Sequence, residues 1–220
     1  MDEEFFKNIA KQLRQPEGEY AIEVGERMNE GNLYINLFTM EALNLKGSEN
    51  ILEIGMGNGF FVKNILDQYP GVKYSGCDHS SIMVEESSKH NKEFITEGRA
   101  NFYFGSADKL PFESQKFDTI FTINTLYFWE DATSVFNELK RVLKPDGQIT
   151  IAIRPKSVME NYPFVKYGFV MFEKEDLIKL VEENNLISTK VLELEEPQQE
   201  LNGIQMPVST LLISAVKKAV

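Results

Sequence analysis

The stretch Ile51-Leu-Glu-Ile-Gly-Met-Gly-Asn-Gly-Phe-Phe61 changes hydrophobic period in its middle, and that change constrains the fold more than any other feature of the chain. Ile51 to Ile54 read as a buried strand, whereas Phe60, Phe61, Ile65 and Leu66 recur at helical spacing. Gly55, Gly57 and Gly59 stand between the two. Strand, glycine loop and helix N-terminus in that order open a β-α unit of a parallel sheet. At such a junction free backbone N–H groups and the positive end of the helix dipole face outward, and glycines let a ligand lie against the main chain. A nucleotide-type site is therefore expected here.

Spacing decides which ligand. The dinucleotide fingerprint places its third glycine at the sixth position, where this chain has Phe60. A triphosphate loop ends in Gly-Lys-Ser/Thr, and no such ending surrounds Lys63. The run Glu53-x-Gly55-x-Gly57-x-Gly59 instead resembles the first motif of the class I S-adenosylmethionine-dependent methyltransferases. S-adenosylmethionine carries a sulfonium, an amino group and a carboxylate but no phosphate, so an acid at the loop attracts rather than repels it.

The remaining chain reads as a series of β-α steps. Asp2 to Arg14 form an amphipathic helix with Phe5, Phe6, Ile9 and Leu13 on one face, broken at Gln15-Pro16-Glu17-Gly18, and helices at about 19–30 and 32–45 follow. Further strands are expected at Val72–Cys77, Asn101–Phe104, Thr119–Ile123 and Gln148–Ile153. Helices are expected at 81–97, Glu130–Leu143 and Glu173–Asn184. Arg-Val-Leu-Lys-Pro-Asp-Gly-Gln (141–148) resembles the structural turn before the fifth strand of the same superfamily. Ile187–Leu194 and Val208–Val216 read as an antiparallel hairpin joined by a loop, 195–207. The resemblance spans residues 50–216 and implies an α/β fold: a seven-stranded, mostly parallel sheet with helices on both faces and a terminal antiparallel hairpin. Residues 1–45 are expected to form an N-terminal helical cap or lid, and 46–220 the cofactor-binding domain with an aromatic insertion at 154–171.

Asp78 closes the second strand, 19 residues past Gly59. An acid there accepts hydrogen bonds from ribose hydroxyls; a turn or capping role is the alternative. His79 follows it and is expected near the adenosine, Ser80 caps the next helix, and Met83 faces back toward the strand ends. The resemblance gives Asp108 a bond to the adenine amino group and Ala107 a backbone contact. The cofactor set is thus Glu53, Gly55, Gly57, Gly59, Asp78, His79, Met83, Ala107, Asp108 and Asn124, the last on a segment, 124–129, expected to face the reactive end. Asn124 and Tyr127 have the outer residues of the Asn-Pro-Pro-Tyr motif of base-modifying amino-methyltransferases. The two prolines that aim the asparagine at a flipped base are absent.

Tyr20 and Tyr34 of the lead-in, Tyr127, and Tyr162 and Tyr167 of the insertion are the candidate acceptor contacts. The insertion either lines an acceptor pocket or packs as a satellite of the core. No catalytic residue is assigned. Methyl transfer needs alignment and water exclusion first; His79 and His90 are the only histidines, and a tyrosine with a reference pKa of about 10 is a poor base.

A net charge of -11 disfavours nucleic-acid backbones and anionic membrane surfaces. A lone Cys77, no signal-like N-terminus and no apolar run near the roughly 18 residues of a membrane span point to a reduced, cytoplasmic protein without integral membrane association. No metal site is expected. The overall resemblance is closest to ubiquinone and menaquinone biosynthesis methyltransferases, which implies methyl transfer from S-adenosylmethionine to a small-molecule acceptor. The alternatives are an NAD(P)-dependent oxidoreductase, opposed by Phe60, and a protein that binds S-adenosylmethionine without transfer.

Overall fold

Strand β1 (Asn50–Ile54) pairs in parallel with β2 (Lys73–Asp78) on one side and with β4 (Phe117–Ile123) on the other. The chain runs outward from β1 through β2 to β3 (Ala100–Phe104), then returns to the far side of β1 as β4 and continues to β5 (Leu143–Ile153). β7 (Ile204–Lys217) lies antiparallel to β5, and β6 (Leu186–Leu201) forms the edge beyond it. The sheet order is β3-β2-β1-β4-β5-β7-β6. The strand order therefore reverses between β1 and β4, and in an open α/β sheet a crevice opens beyond the carboxyl ends of the strands at such a point. The computed structural model describes residues 3–201 and 204–217; Asp2, expected in the first helical turn, lies outside the described residues.

Alternation along each central strand feeds two cores. Leu52, Ile54, Ile120, Ile151 and Ile213 pack on one face, with α7 (Ala132–Val142) and α9 (Lys174–Glu183). Ile51, Phe121, Ala152 and Leu212 pack on the other, with α3 (Leu33–Ala42) and α4 (Val62–Gln68). Strands buried on both faces explain why these segments read as nearly continuous apolar runs.

Three boundaries differ from the sequence expectation. The helix expected over 81–97 is two, α5 (Ser81–His90) and α6 (Lys92–Thr96), because Asn91 donates its amide to Gly59 O at 2.9 Å and Ser87 O at 3.0 Å. The segment 144–147, expected as a turn, belongs to β5: Leu143 pairs with Phe117, and the register shifts before Thr119 pairs with Gln148. The expected loop 195–207 is largely strand. β6 and β7 stay paired from Glu196↔Val208 across a bulge to Leu201↔Ile204, so the hairpin extends past the sheet.

The lead-in helices α1 (Glu3–Arg14) and α2 (Ala21–Gly31), with α3, sit against the carboxyl ends of the strands. Ser80 Oγ donates to Pro16 O at 2.6 Å, and Gln15 Nε2 to His79 O at 2.9 Å, so the α1–α2 connection is tied to the end of β2. The insertion forms α8 (Lys156–Met159) and a series of turns. Val158, Met159 and Val165 are buried in the core, and Tyr162, Phe164 and Phe169 pack against it.

Candidate functional site

The loop after β1 is held by its neighbour strand. Gly55 N donates to Cys77 O at 2.8 Å, continuing the parallel ladder by one bond. Gly57 N then donates to Asp78 Oδ2 at 3.0 Å, while Ser80 N donates to Asp78 Oδ1 at 2.8 Å. One carboxylate thus joins the glycine loop to the start of α5, where Ser80 Oγ accepts from Met83 N as the helix cap. His90 Nδ1 lies 2.9 Å from Asn58 O, on the back of the same loop.

Gly59 and Gly57 are glycines for different reasons. A Cβ at Gly59 would sit 2.7 Å from Ser87 Cβ, so this position lets α5 pack against the loop. A Cβ at Gly57, at φ +57°, would meet nothing within 4 Å. Its open side borders a cavity of about 440 Å³ beyond the ends of β1 and β4, within the size range of small-ligand sites.

Two buried carboxylates face that cavity from adjacent strands. Tyr74 donates its hydroxyl to Glu53 Oε2 at 2.6 Å. Burial pushes Glu53 up to about 7, opposed by the Tyr74 bond and reinforced by the charge of Asp78. Asp78 is raised as well, chiefly by burial, against the pull of the Ser80 and Gly57 amides. Burial also pushes the Cys77 thiol up to about 12, so it stays neutral.

On the opposite wall the backbone turns sharply after β4. Asn124 has φ +56° and its N donates to Ala152 O at 2.9 Å. Its Nδ2 donates to Asn32 Oδ1 at 3.0 Å, and Asn36 Nδ2 donates to Asn32 O at 2.7 Å. Tyr127 OH accepts from Arg154 N at 2.6 Å and donates to Asn124 Oδ1 at 3.0 Å or Arg154 O at 3.1 Å. Arg154 forms a buried ion pair with Glu196 at 2.8 Å, and its Nη2 donates to Gly31 O at 2.6 Å; Gln199 Nε2 donates to the same carbonyl at 3.2 Å. The hairpin extension therefore fixes the α2–α3 junction that carries Asn32 over the cavity.

Of the sequence-derived cofactor residues, Glu53, Gly55, Gly57, Asp78, His79, Met83, Ala107, Asp108 and Asn124 all line this cavity, and Gly59 does not. The five tyrosines stand elsewhere. Tyr20 is 62% and Tyr34 39% exposed, Tyr127 is buried behind Asn124, and Tyr162 and Tyr167 belong to the insertion, outside the cavity wall. The wall also carries Arg14, Asn32 and Phe61, for which the sequence suggests no site role, together with Phe128 and Trp129 of the segment expected to face the reactive end. The aromatic run 127–129 after β4 was the signal for the last two; nothing local marked Asn32. Among the described residues no group of three or more His, Cys, Asp or Glu is arranged to hold a metal ion. No helix among them is long and apolar enough to cross a membrane.

The donor set fits S-adenosylmethionine. Carboxylates face the cavity, able to accept from the ammonium group and ribose hydroxyls of that nucleoside, and the side of Gly57 that a Cβ would fill is open. Comparison with known proteins agrees with this chemistry. Residues 51–147 match the methyltransferase-domain family model. The chain is 26% identical over 125 residues to an uncharacterized methyltransferase, YdaC, of Bacillus subtilis, covering 57% of this chain and 67% of that one. It is 32% identical over 124 residues to the ubiquinone/menaquinone biosynthesis C-methyltransferase UbiE of Desulfotalea psychrophila, covering 56% of this chain and 49% of that one. The matched region thus spans about half to two thirds of the length of these relatives. In fold, the chain resembles geranyl diphosphate C-methyltransferase from Streptomyces coelicolor, solved with Mg2+, geranyl diphosphate and S-adenosyl-L-homocysteine. There the TM-score is 0.68 at 12% identity, over 94% of this chain and 87% of that one.

Proposed function

We propose, from the match of residues 51–147 to the methyltransferase-domain family model, that this chain transfers the methyl group of S-adenosylmethionine to a small-molecule acceptor. One juxtaposition supports the reading above the rest. The open side of Gly57, the Glu53 and Asp78 carboxylates and the Asn124 turn border a single cavity whose wall carries, among the described residues, Arg14 as its one lysine or arginine. A phosphate-bearing cofactor finds little to neutralise it there, and a sulfonium nucleoside finds two acids.

When bound, S-adenosylmethionine supplies an electrophilic methyl group on a leaving group that departs as a neutral thioether. The chain's own residues orient and enclose. Asp78 holds the loop amides in place and accepts the ribose hydroxyls, Glu53 faces the amino acid end, and Asp108 and the Ala107 backbone hold the adenine. The helices α1 to α3 act as a cap that excludes water while the acceptor is aligned. Orientation of this kind contributes about 7 to 11 kcal/mol to such displacements.

Calorimetry with S-adenosylmethionine, S-adenosylhomocysteine and NAD tests the reading. Both sulfur nucleosides are expected to bind and NAD is not; binding of NAD alone would overturn the proposal. Asp78→Ala is expected to abolish nucleoside binding. Transfer itself is checked by S-adenosylhomocysteine release with a broad acceptor panel, and silence across that panel would reduce the protein to a binder.

A further inference from the structure

Apart from Glu53, Asp78 and Asp108, which the cofactor would occupy, the Asp, Glu, Lys and Arg residues of the cavity wall are Arg14, Glu130 and Asp131. The opposing cation, Arg14, is already paired with Glu130 at 2.5 Å. Around the Asn124 turn the polar groups are uncharged carboxamides, with Phe61, Phe128 and Trp129 supplying apolar surface. Asn124 and Asn32 hold each other's orientation: Tyr127 stands at Asn124 Oδ1, and Asn124 Nδ2 donates to Asn32 Oδ1. Asn36 spends its amide nitrogen on Asn32 O, which leaves its carbonyl oxygen for a ligand.

Resting on the methyl-transfer reading, we infer that the acceptor is a neutral or cationic molecule that presents an N–H or O–H group to the Asn32–Asn36–Asn124 cluster, and that carboxylates and phosphates are rejected. An anionic acceptor would lose its hydration near Glu130 and Asp131, where Arg14, the one lysine or arginine of the wall among the described residues, is already paired. Carboxamide oxygens accept hydrogen bonds from N–H and O–H groups but carry no charge. In the transfer, the acceptor lone pair forms the bond to the methyl carbon and the carbon–sulfur pair stays with sulfur, giving S-adenosylhomocysteine. The acceptor proton leaves to solvent, since a carboxamide aligns that hydrogen without taking it.

The test uses the full chain saturated with S-adenosylhomocysteine and titrated with benzyl alcohol, benzylamine, benzoate and benzyl phosphate, four probes that share a ring and differ in head group. The alcohol and the amine are expected to bind at least about tenfold tighter than either anion. Equal or tighter binding of benzoate or benzyl phosphate, or no binding by any probe, overturns the inference. In a second arm, with S-adenosylhomocysteine kept saturating, Asn32→Asp is expected to tighten benzylamine relative to benzyl alcohol, because the new carboxylate attracts the ammonium. An unmoved ratio between the two counts against the inference. If the wild-type protein fails to bind S-adenosylhomocysteine, the methyl-transfer reading falls and takes this inference with it. If it binds the nucleoside and prefers anions, the acceptor inference alone falls.

Discussion

Tyr74 on β2 donates its hydroxyl to Glu53 Oε2 on β1 at 2.6 Å, and both side chains are buried beside the cavity. Burial outweighs that bond and holds Glu53 up to about 7, from an ordinary value of 4.5. The folded chain therefore keeps this proton in a window where the unfolded chain has lost it. The associated stability is fully present below pH 4.5 and is lost as pH rises to about 7. At about 1.4 kcal/mol per pH unit the loss across the window is on the order of 3 kcal/mol. Urea unfolding of wild type and Glu53→Gln over that range checks it: the wild type should lose stability more steeply than the variant. Parallel slopes would refute the assignment.

The two loop glycines should separate stability from binding. Gly59→Ala drives a Cβ to 2.7 Å from Ser87 Cβ and 3.1 Å from Ser87 Cα at φ +68°. It is expected to cost about 2 to 3 kcal/mol, read from the urea midpoint. Gly57→Ala meets no atom within 4 Å. Its stability cost is that of a left-handed alanine, about 1 kcal/mol, whereas its methyl projects toward the ligand and should weaken S-adenosylmethionine at least about tenfold by calorimetry.

Arg154 and Glu196 have side chains 7% and 0% exposed, and Glu196 Oε1 also accepts from Thr210 Oγ1 at 2.6 Å. Arg154→Met strands a buried carboxylate and releases Gly31 O, at an expected cost of about 3 to 5 kcal/mol. The double change Arg154→Met with Glu196→Leu removes the stranded charge and should recover most of that loss in denaturant unfolding. A double variant no more stable than the single would show that the charge was not the cause.

Two of the tethers that hold the lead-in helices to the rest of the domain should not be equal. Arg14–Glu130 is an exposed pair, and Arg14→Ala should change stability by less than about 0.5 kcal/mol. Ser80 is buried, caps α5 and donates to Pro16 O. Ser80→Ala should cost about 1 to 2 kcal/mol, and thermal unfolding of the two variants side by side would reverse this ranking if the ion pair were the real latch.

The β1–loop–α4 unit, the acid ending β2, the Ser80 cap and the helices α7 and α9 were legible in the chain because each is a local pattern: a period, a breaker, a cap. Where local pattern and long-range pairing compete, pairing prevailed. Lys-Pro-Asp-Gly at 144–147 has turn composition, yet Leu143 is drawn beside Phe117 and the segment continues β5. Glu195 to Pro207 has polar, proline-containing composition, yet the backbone stays paired through a bulge. The break at Asn91 depends on Gly59 O, 32 residues earlier in the chain.

The sequence by itself determined the order of strands and helices and the chemistry of the loop after β1, since hydrophobic period, glycine spacing and the position of Asp78 are properties of short stretches. Tertiary structure alone decided that Gly59 faces α5 rather than the cavity, that the candidate tyrosines stand off its wall, and that Asn32 meets Asn124. Those outcomes depend on side chains from segments up to 92 residues apart converging at 3.0 Å, and no local period encodes a distance of that kind.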